Sequence, residues 1–300
     1  MRTMMTIAAL TALTFAAHVA GAHVAVAQAA APDPAKWRQV DPEQTLYIDT
    51  SKGRVIVEMY PEIAPLAVAR IKQLTREKFY DGVVFHRVID KFMAQTGDPK
   101  GDGSGGSKYP DLKEEFLFRR GTDMGFVRAA TQGGATLGFY KTLPVASQPD
   151  DMMAITKDKK AAAWGLHCAG VAAMARETDP DTANSQFYLV RATYPSLDKR
   201  YTVWGRVIWG QDVVDSFAVG EPPPIPDKMT KVTVASDLPV AQRAPLYVMR
   251  SDSKAFADVI NDARDKMKAD FSVCDIKIPA TVADTSGRER SWWSRIPFIP

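Results

Sequence analysis

The pattern that most limits what this chain can fold into is a succession of short apolar runs separated by turn residues. "TLYIDTSKGRVIVEMY" reads as a β-hairpin. Leu46 and Ile48 alternate on one strand, Val55, Val57 and Met59 on the next, and Ser51-Lys52-Gly53 supplies the turn. "VVFHRVI", "FMAQTGD", "GVAAMAR", "SQFYLV" and "YTVWGRVI" read as further short strands, and "MTKVTVASDL" as a closing one. Two helical patterns interrupt them. In "APLAVARIKQLTREKFYDG", Ala64, Ala67, Val68, Ile71 and Leu74 recur at the spacing of one helix face, with Pro65 in the first turn. "GQDVVDSF" reads as a second, short helix. Many strands with two helices predict a β-barrel or sandwich plugged by helices.

The N-terminus lies outside this pattern. Arg2 is followed by an apolar run from Met4 to Ala17 and then by Ala25-Val26-Ala27, an A-x-A cleavage site. Residues 1–27 therefore read as a cleaved secretory signal. The run is too short and alanine-rich to span a bilayer. The expected location is outside the cytoplasm, the periplasm if the source is a bacterium, and residues 28–43 are expected to form a mobile lead-in.

Several chemistries lack support. Lys and Arg number 38 against 35 Asp and Glu, which gives no basic field for nucleic acid. Once the signal is gone, His86, His167, Cys168 and Cys274 are the remaining histidines and cysteines, and none forms a CxxC, HExxH or zinc spacing. There is no GxSxG. "GDGSGG" (residues 101–106) lacks a following GK[ST] and reads as a flexible turn. No metal or other cofactor is expected.

"FHRVIDKFMAQTGDP" (residues 85–99) poses a different question. Arg87 stands among Phe, Val, Ile and Met, where a guanidinium is costly unless paired. No acidic residue beside it in sequence fixes a partner; a structural ion pair is the bland alternative to a catalytic role.

This stretch, followed in order by "GSGG", "MAR", "NSQFYLV" and "LDKRYTVWGRVIWGQDVVDSF", resembles the cyclophilin family of peptidyl-prolyl cis-trans isomerases. The resemblance runs from about Thr45 to Leu238. It implies a closed eight-stranded antiparallel barrel with two capping helices (residues 44–238), and it implies the site. Arg87 would be the catalytic cation, with Phe92 and Gln95 beside it. Phe92, Met93, Tyr188 and Leu197 would grip the proline ring, with Tyr201 nearby. Gln95 would hydrogen-bond the substrate backbone and help to orient Arg87. Ala175, Arg176 and Gln186 would meet the peptide on the N-terminal side of the proline, with Gly103 at the rim. His86 would be structural, facing the other side of its strand. For the apolar members taken singly, ordinary barrel core is the alternative.

The departures from the family pattern are specific. Tyr188 stands where many members have Phe, Ser196 where they have Trp, Tyr201 where they often have His, and Arg176 where Asn is common. The missing Trp removes a donor for cyclosporin-like ligands, and Arg176 is either a selector of acidic residues before the proline or a solvated rim charge.

Two segments fall outside the pattern. Residues 125–166 read as a long surface loop, Gly-rich at its start and charged in its middle. Residues 239–282 read as a small C-terminal β-α-β extension. It comprises a strand in "APLYVMR", a helix capped by Asp252 or Ser253 with Phe256, Val259, Ile260, Ala263 and Met267 on one face, and a strand in "FSVCDIKIP". The piece is too small to hide its own apolar face, so it is expected to dock on the barrel or on a partner. Residues 283–300 are expected to be mobile, and a membrane contact through Trp292 and Trp293 is not favoured. Cys168 and Cys274 both lie outside the shared motifs, and an exported chain tends to pair an even count, so a Cys168–Cys274 disulfide is expected over two separate buried thiols.

The expected activity is rotation of X-Pro bonds in other exported proteins by a monomer that binds proline-containing segments. The alternatives are a catalytically weak chaperone that holds such segments, and a scaffold in which the tail does the binding.

Overall fold

The computed structural model describes residues 31–282. The expected signal segment, and Trp292 and Trp293, lie outside them. In chain order, a short strand β1 (Trp37–Gln39) precedes the hairpin of β2 (Thr45–Thr50) and β3 (Gly53–Met59). Helix α1 (Pro65–Arg76) leads to β4 (Arg87–Ile89) and β5 (Met93–Thr96). The next segment forms β6 (Phe118–Arg120), β7 (Phe126–Gln132), β8 (Ala135–Tyr140), β9 (Leu143–Ser147), the one-turn α2 (Met152–Ile155) and β10 (Ala161–Gly165). The chain then returns through β11 (Val171–Met174), β12 (Phe187–Val190), β13 (Val203–Trp209), α3 (Gln211–Asp215) and β14 (Met229–Val234). It ends in β15 (Leu246–Met249), α4 (Lys254–Met267) and β16 (Ala280–Val282).

Eight of these strands form one antiparallel sheet in the order β14-β2-β3-β13-β11-β12-β5-β4. Its concave core collects Leu46, Ile48, Val57, Met59, Phe187, Leu189 and Trp204, plugged by Ala67, Val68, Ile71 and Leu74 of α1 and by Val214 of α3. The apolar stripe read from the sequence is therefore the face that α1 buries. Its N-terminus has no side-chain cap of its own; the Glu115 carboxylate accepts the Leu66 and Ala67 N–H groups at 2.9 Å each, a favourable charge at a helix start.

The strand number meets the expectation of an eight-stranded barrel, but a closed ladder does not form. At the open edge the chain just before β4 and β4 itself meet the segment before β14 through the isolated bridges Val84↔Lys228 and Val88↔Gly220. The segment "EPPPIPD" between them explains this, because Pro222, Pro223, Pro224 and Pro226 have no N–H to donate to a ladder.

Residues 125–166 are not a surface loop. Together with β6 they build a second sheet, β6-β10-β9-β8-β7. Its first hairpin turns on Gly133 and Gly134, with φ of 55° and 76°, the two-residue turn that positive φ at both positions favours. The tail also differs from expectation. β15 pairs with both β1 and β16, so the lead-in is ordered from Trp37, and the second strand of the tail is Ala280–Val282. "FSVCDIKIP" instead contains a short 3-10 turn over Val273–Asp275. Ser253 is the cap of α4, accepting from the Phe256 N–H at 3.1 Å. Phe256 and Ile260 bury against Ala129 and Phe139 of the second sheet, whereas Met267 is exposed. The tail thus docks in two places: Leu246, Val248 and Ala280 pack on Tyr47, Ile56 and Ile208 of the main sheet, as expected, and α4 packs on the second sheet.

One buried carboxylate fastens these layers. Glu58, 3% exposed on the outer side of β3, takes both terminal nitrogens of Arg38 in β1 at 2.6 and 2.8 Å. It also accepts from the Tyr60 hydroxyl at 2.9 Å and from Thr142, in the β8–β9 turn, at 2.8 Å. Burial works to raise the Glu58 carboxyl, and the Arg38 charge with these hydrogen bonds overcomes it and holds the group below its ordinary 4.5. Arg206 of β13 continues the network, donating to the carbonyls of Thr142 at 2.8 Å and Ile276 at 3.5 Å. Burial pulls its guanidinium down to about 10. A covalent link lies close by: Cys168, just before β11, is bonded to Cys274 of the tail, with Cα atoms 5.0 Å apart.

Two outcomes follow for stability. Glu58→Gln should destabilise the fold by about 3–5 kcal/mol at neutral pH, because Arg38 is left without its partner. A carboxyl held below its unfolded value stabilises above about pH 4.5, and the gain is lost as pH falls through its folded value. Thermal melts of wild type and Glu58→Gln should therefore differ at pH 7 and converge in acid. Replacing both cysteines by Ala should remove up to about 4–5 kcal/mol for a loop of this length. Thiol titration of the unfolded, unreduced wild type should find no free thiol, and two per chain would contradict the bridge.

Candidate active site

The outer face of the main sheet carries the site, because side chains alternate along each strand. On β12, Phe187 and Leu189 point into the barrel core, whereas Tyr188 and Val190 belong to a second apolar cluster. β5 divides in the same way, with Ala94 inside and Met93 outside. The outer cluster gathers Met93 and Tyr188 with the partly exposed Phe92, Ala175, Leu197 and Tyr201. Phe118, Tyr140, Leu143 and Val145 of the second sheet belong to the same cluster. The apolar residues assigned to a proline pocket are thus together, in a cluster distinct from the barrel core. Met93 and Tyr188 are 2% and 4% exposed and form a floor rather than a rim.

Polar groups border this floor. Arg87 and Gln95 face each other across β4 and β5. Gln95 Nε2 donates to Gln186 Oε1 at 2.9 Å, and Gln186 Nε2 donates to the carbonyls of Gly103 at 2.9 Å and Gly105 at 2.8 Å. Gly103, with φ of 90°, is seated by its N–H on Asp98 Oδ2 at 2.5 Å. Asp98, 1% exposed, also accepts from the Lys100 and Asp102 N–H groups, so one buried carboxylate shapes the rim loop. Ala175 N–H bonds the Gln186 carbonyl at 2.9 Å. His86 is buried, and burial lowers its pKa.

Two of the assigned residues have partners that the sequence did not reveal. Arg87 is ion-paired, Nε to Glu221 Oε2 at 2.6 Å, with a residue 134 positions away. Between Gln95 and the Arg87 guanidinium there is no hydrogen bond; the partner of the guanidinium is Glu221. Arg176 lies over the Tyr201 ring at 4.6 Å and donates to the carbonyls of Arg200, Glu177 and Thr178, so its side chain is fixed rather than a free rim charge.

The sequence reading missed two further neighbours. His167 is fully buried beneath the floor. Its Nδ1 meets Asp198 Oδ1 at 2.9 Å and its Nε2 meets the Tyr188 hydroxyl at 3.1 Å. In the neutral ring, the carboxylate partner places the hydrogen on Nδ1 and leaves Nε2 to accept the phenolic O–H. The hydroxyl that departs from the family's Phe therefore has a dedicated partner. Tyr194 packs its ring 4.4 Å from Phe92, two positions before Ser196, and supplies an aromatic surface close to where the family's Trp is absent.

This arrangement can hold an apolar ring against a floor while presenting a half-exposed cation and two amides to a peptide backbone. Comparisons agree with that geometry. The sequence profile of the "Cyclophilin type peptidyl-prolyl cis-trans isomerase/CLD" family matches residues 45–234. A probable peptidyl-prolyl cis-trans isomerase of Brucella suis is 35% identical over 213 residues, 66% of this chain and 85% of the relative. The peptidyl-prolyl cis-trans isomerase CYP18-2 of Arabidopsis thaliana is 32% identical over 178 residues, 58% of this chain and 78% of that protein. The crystal structure of cyclophilin AquaCyp293 from Hirschia baltica superposes with a TM-score of 0.78 at 36% identity, covering 84% of this chain and 95% of that one. The chain belongs to the cyclophilin-type peptidyl-prolyl cis-trans isomerases. It is similar to bacterial members in particular.

Tyr188→Phe should leave His167 Nε2 buried without its donor and lower stability by about 1–3 kcal/mol. The ring face offered to proline is unchanged, so isomerase activity at a temperature where the variant is folded should stay close to wild type. Thermal melts paired with a proline-peptide assay check both halves.

Proposed function

We propose that this isomerase works without covalent chemistry, with Arg87 as the donor to the prolyl nitrogen and the Phe92–Met93–Tyr188–Leu197 surface as the grip on the ring. Rotating an X-Pro bond means twisting a partial double bond against a barrier of about 18–20 kcal/mol. As conjugation breaks, the prolyl nitrogen becomes pyramidal and gains a lone pair. A guanidinium N–H aimed at that lone pair bonds the twisted amide better than the planar one, which is the differential binding that catalysis needs. Nothing is cleaved, so neither a nucleophile nor a metal takes part.

The observation that carries this reading is the position of Arg87. Its side chain is 39% exposed at the edge of the apolar floor, and its terminal nitrogens have no partner among the described residues. Gln95 and Gln186, already joined to each other, would take the backbone of the peptide before the proline, and Ala175 and Arg176 would line its path. The substrates we propose are proline-containing segments of other exported proteins. The Cys168–Cys274 bond supports export, since such a bridge persists in an oxidising compartment.

Arg87→Ala should lower kcat/KM for a proline peptide by roughly two or more orders of magnitude, as expected when a transition-state donor is lost, with the fold intact by circular dichroism. Lys at this position should rescue poorly, because it lacks the planar fork. A folded Arg87→Ala protein with wild-type activity would overturn the mechanism.

A further inference from the structure

Arg87 is a long, half-exposed side chain, and an arginine left free at a surface samples many rotamers. In this chain it does not stand free. Glu221 holds it by Nε, the one N–H on the inner edge of the guanidinium, at 2.6 Å. Among the described residues the guanidinium makes no second hydrogen bond. Both terminal nitrogens are therefore left without a partner among the described residues, and these are the donors that a twisted amide would meet.

The carboxylate is delivered by backbone geometry rather than by chance at a rotamer. Val88, next to Arg87 and buried at 1% exposure, exchanges both of its main-chain hydrogen bonds with Gly220, each at 2.9 Å. This isolated bridge fixes the residue before Glu221 directly alongside the residue after Arg87. Gly220 is needed there: a Cβ would fall 2.5 Å from Pro223 Cα and 2.7 Å from the Pro222 carbonyl oxygen. Three prolines follow Glu221 and stiffen the strap from its other side. The barrel edge that fails to close as a ladder is thus the edge at which a carboxylate is brought to Arg87.

We propose that Glu221 is a positioning residue for the isomerase reaction, which preorganises the Arg87 guanidinium with its terminal N–H groups turned to the substrate. This rests on the reading of Arg87 as the prolyl-nitrogen donor. Glu221 touches no substrate; it acts through Arg87 alone. Its removal therefore lowers kcat while the apolar grip, and with it KM, stays the same. The Gln substitution retains an oxygen that accepts from Nε and keeps most of the orientation.

The test measures kcat and KM of the disulfide-intact chain on a neutral proline peptide for Glu221→Ala, Glu221→Gln, Arg87→Ala and the Arg87→Ala/Glu221→Ala double variant, with thermal melts as the folding control. Glu221→Ala should lose roughly 3- to 10-fold in kcat with KM little changed, the scale expected when an oriented group is loosened. Glu221→Gln should recover most of that loss, and Glu221→Ala should have no further effect once Arg87 is gone. If Glu221→Ala equals or exceeds wild type while Arg87→Ala is strongly impaired, the positioning role is wrong and the Arg87 mechanism stands. The role is equally overturned if Glu221→Ala still lowers kcat in the Arg87→Ala background. Wild-type rates in Arg87→Ala would instead bring down the donor mechanism, and the positioning role with it.

Discussion

A carboxylate removed from water must be paired, and the assembly around the barrel is organised by that requirement at Glu58. Its four hydrogen bonds come from three different parts of the chain: Arg38 in the N-terminal strand, Tyr60 at the end of β3, and Thr142 in the second sheet. None of these parts can move away without exposing or orphaning a charge, and a lone buried charge is far more costly than a lost surface contact. Arg206 extends the same hold to the tail through Ile276, and the Cys168–Cys274 bond closes it covalently. The network does not make the barrel, which has an apolar core of its own. Together with apolar contacts from β15, β16 and α4, it joins the second sheet and the tail to the barrel.

That placement matters for the site. A pleated strand offers one face to the barrel core and the other to whatever covers it, and β5, β11 and β12 use both. Their inner residues hold the barrel together, and their outer residues form the floor on which a proline ring would rest. Phe118, Tyr140, Leu143 and Val145 join that cluster from the second sheet, so the extra sheet shares its packing with the pocket. His167, one residue before the bridged Cys168, ties the Tyr188 hydroxyl to Asp198 in the same layer. Scaffold and site are therefore continuous: residues of the segment outside the family pattern share one apolar cluster with the residues that belong to it.

The barrel was legible in the sequence because its signals are local. The alternation in "TLYIDTSKGRVIVEMY", the α1 stripe and the motif around Arg87 each occupy fewer than twenty residues. Residues 125–166 read as a loop because Ala, Thr and Gly interrupt the apolar residues of β7 (FVRAATQ) and β8 (ATLGFY) and blur their alternation. Gly133-Gly134 flanked by two extended runs was the signal for a hairpin there. The tail's closing strand was misplaced because "FSVCDIKIP" looks strand-like, whereas the Ser272 and Asp275 side chains close it into a capped turn. Ion pairs were the least readable feature. Arg38 and Glu58 are 20 residues apart and Arg87 and Glu221 are 134 apart, and only the folded sheet brings either pair together.

The most direct measurement is a crystal structure of the disulfide-intact chain with a short proline-containing peptide. The account predicts the proline ring on the Met93–Tyr188 floor between Phe92 and Leu197. It also predicts an Arg87 terminal nitrogen within about 3 Å of the prolyl amide, with Nε still on Glu221. A proline seated elsewhere on the molecule, or an Arg87 turned away from a proline that occupies the floor, would contradict it.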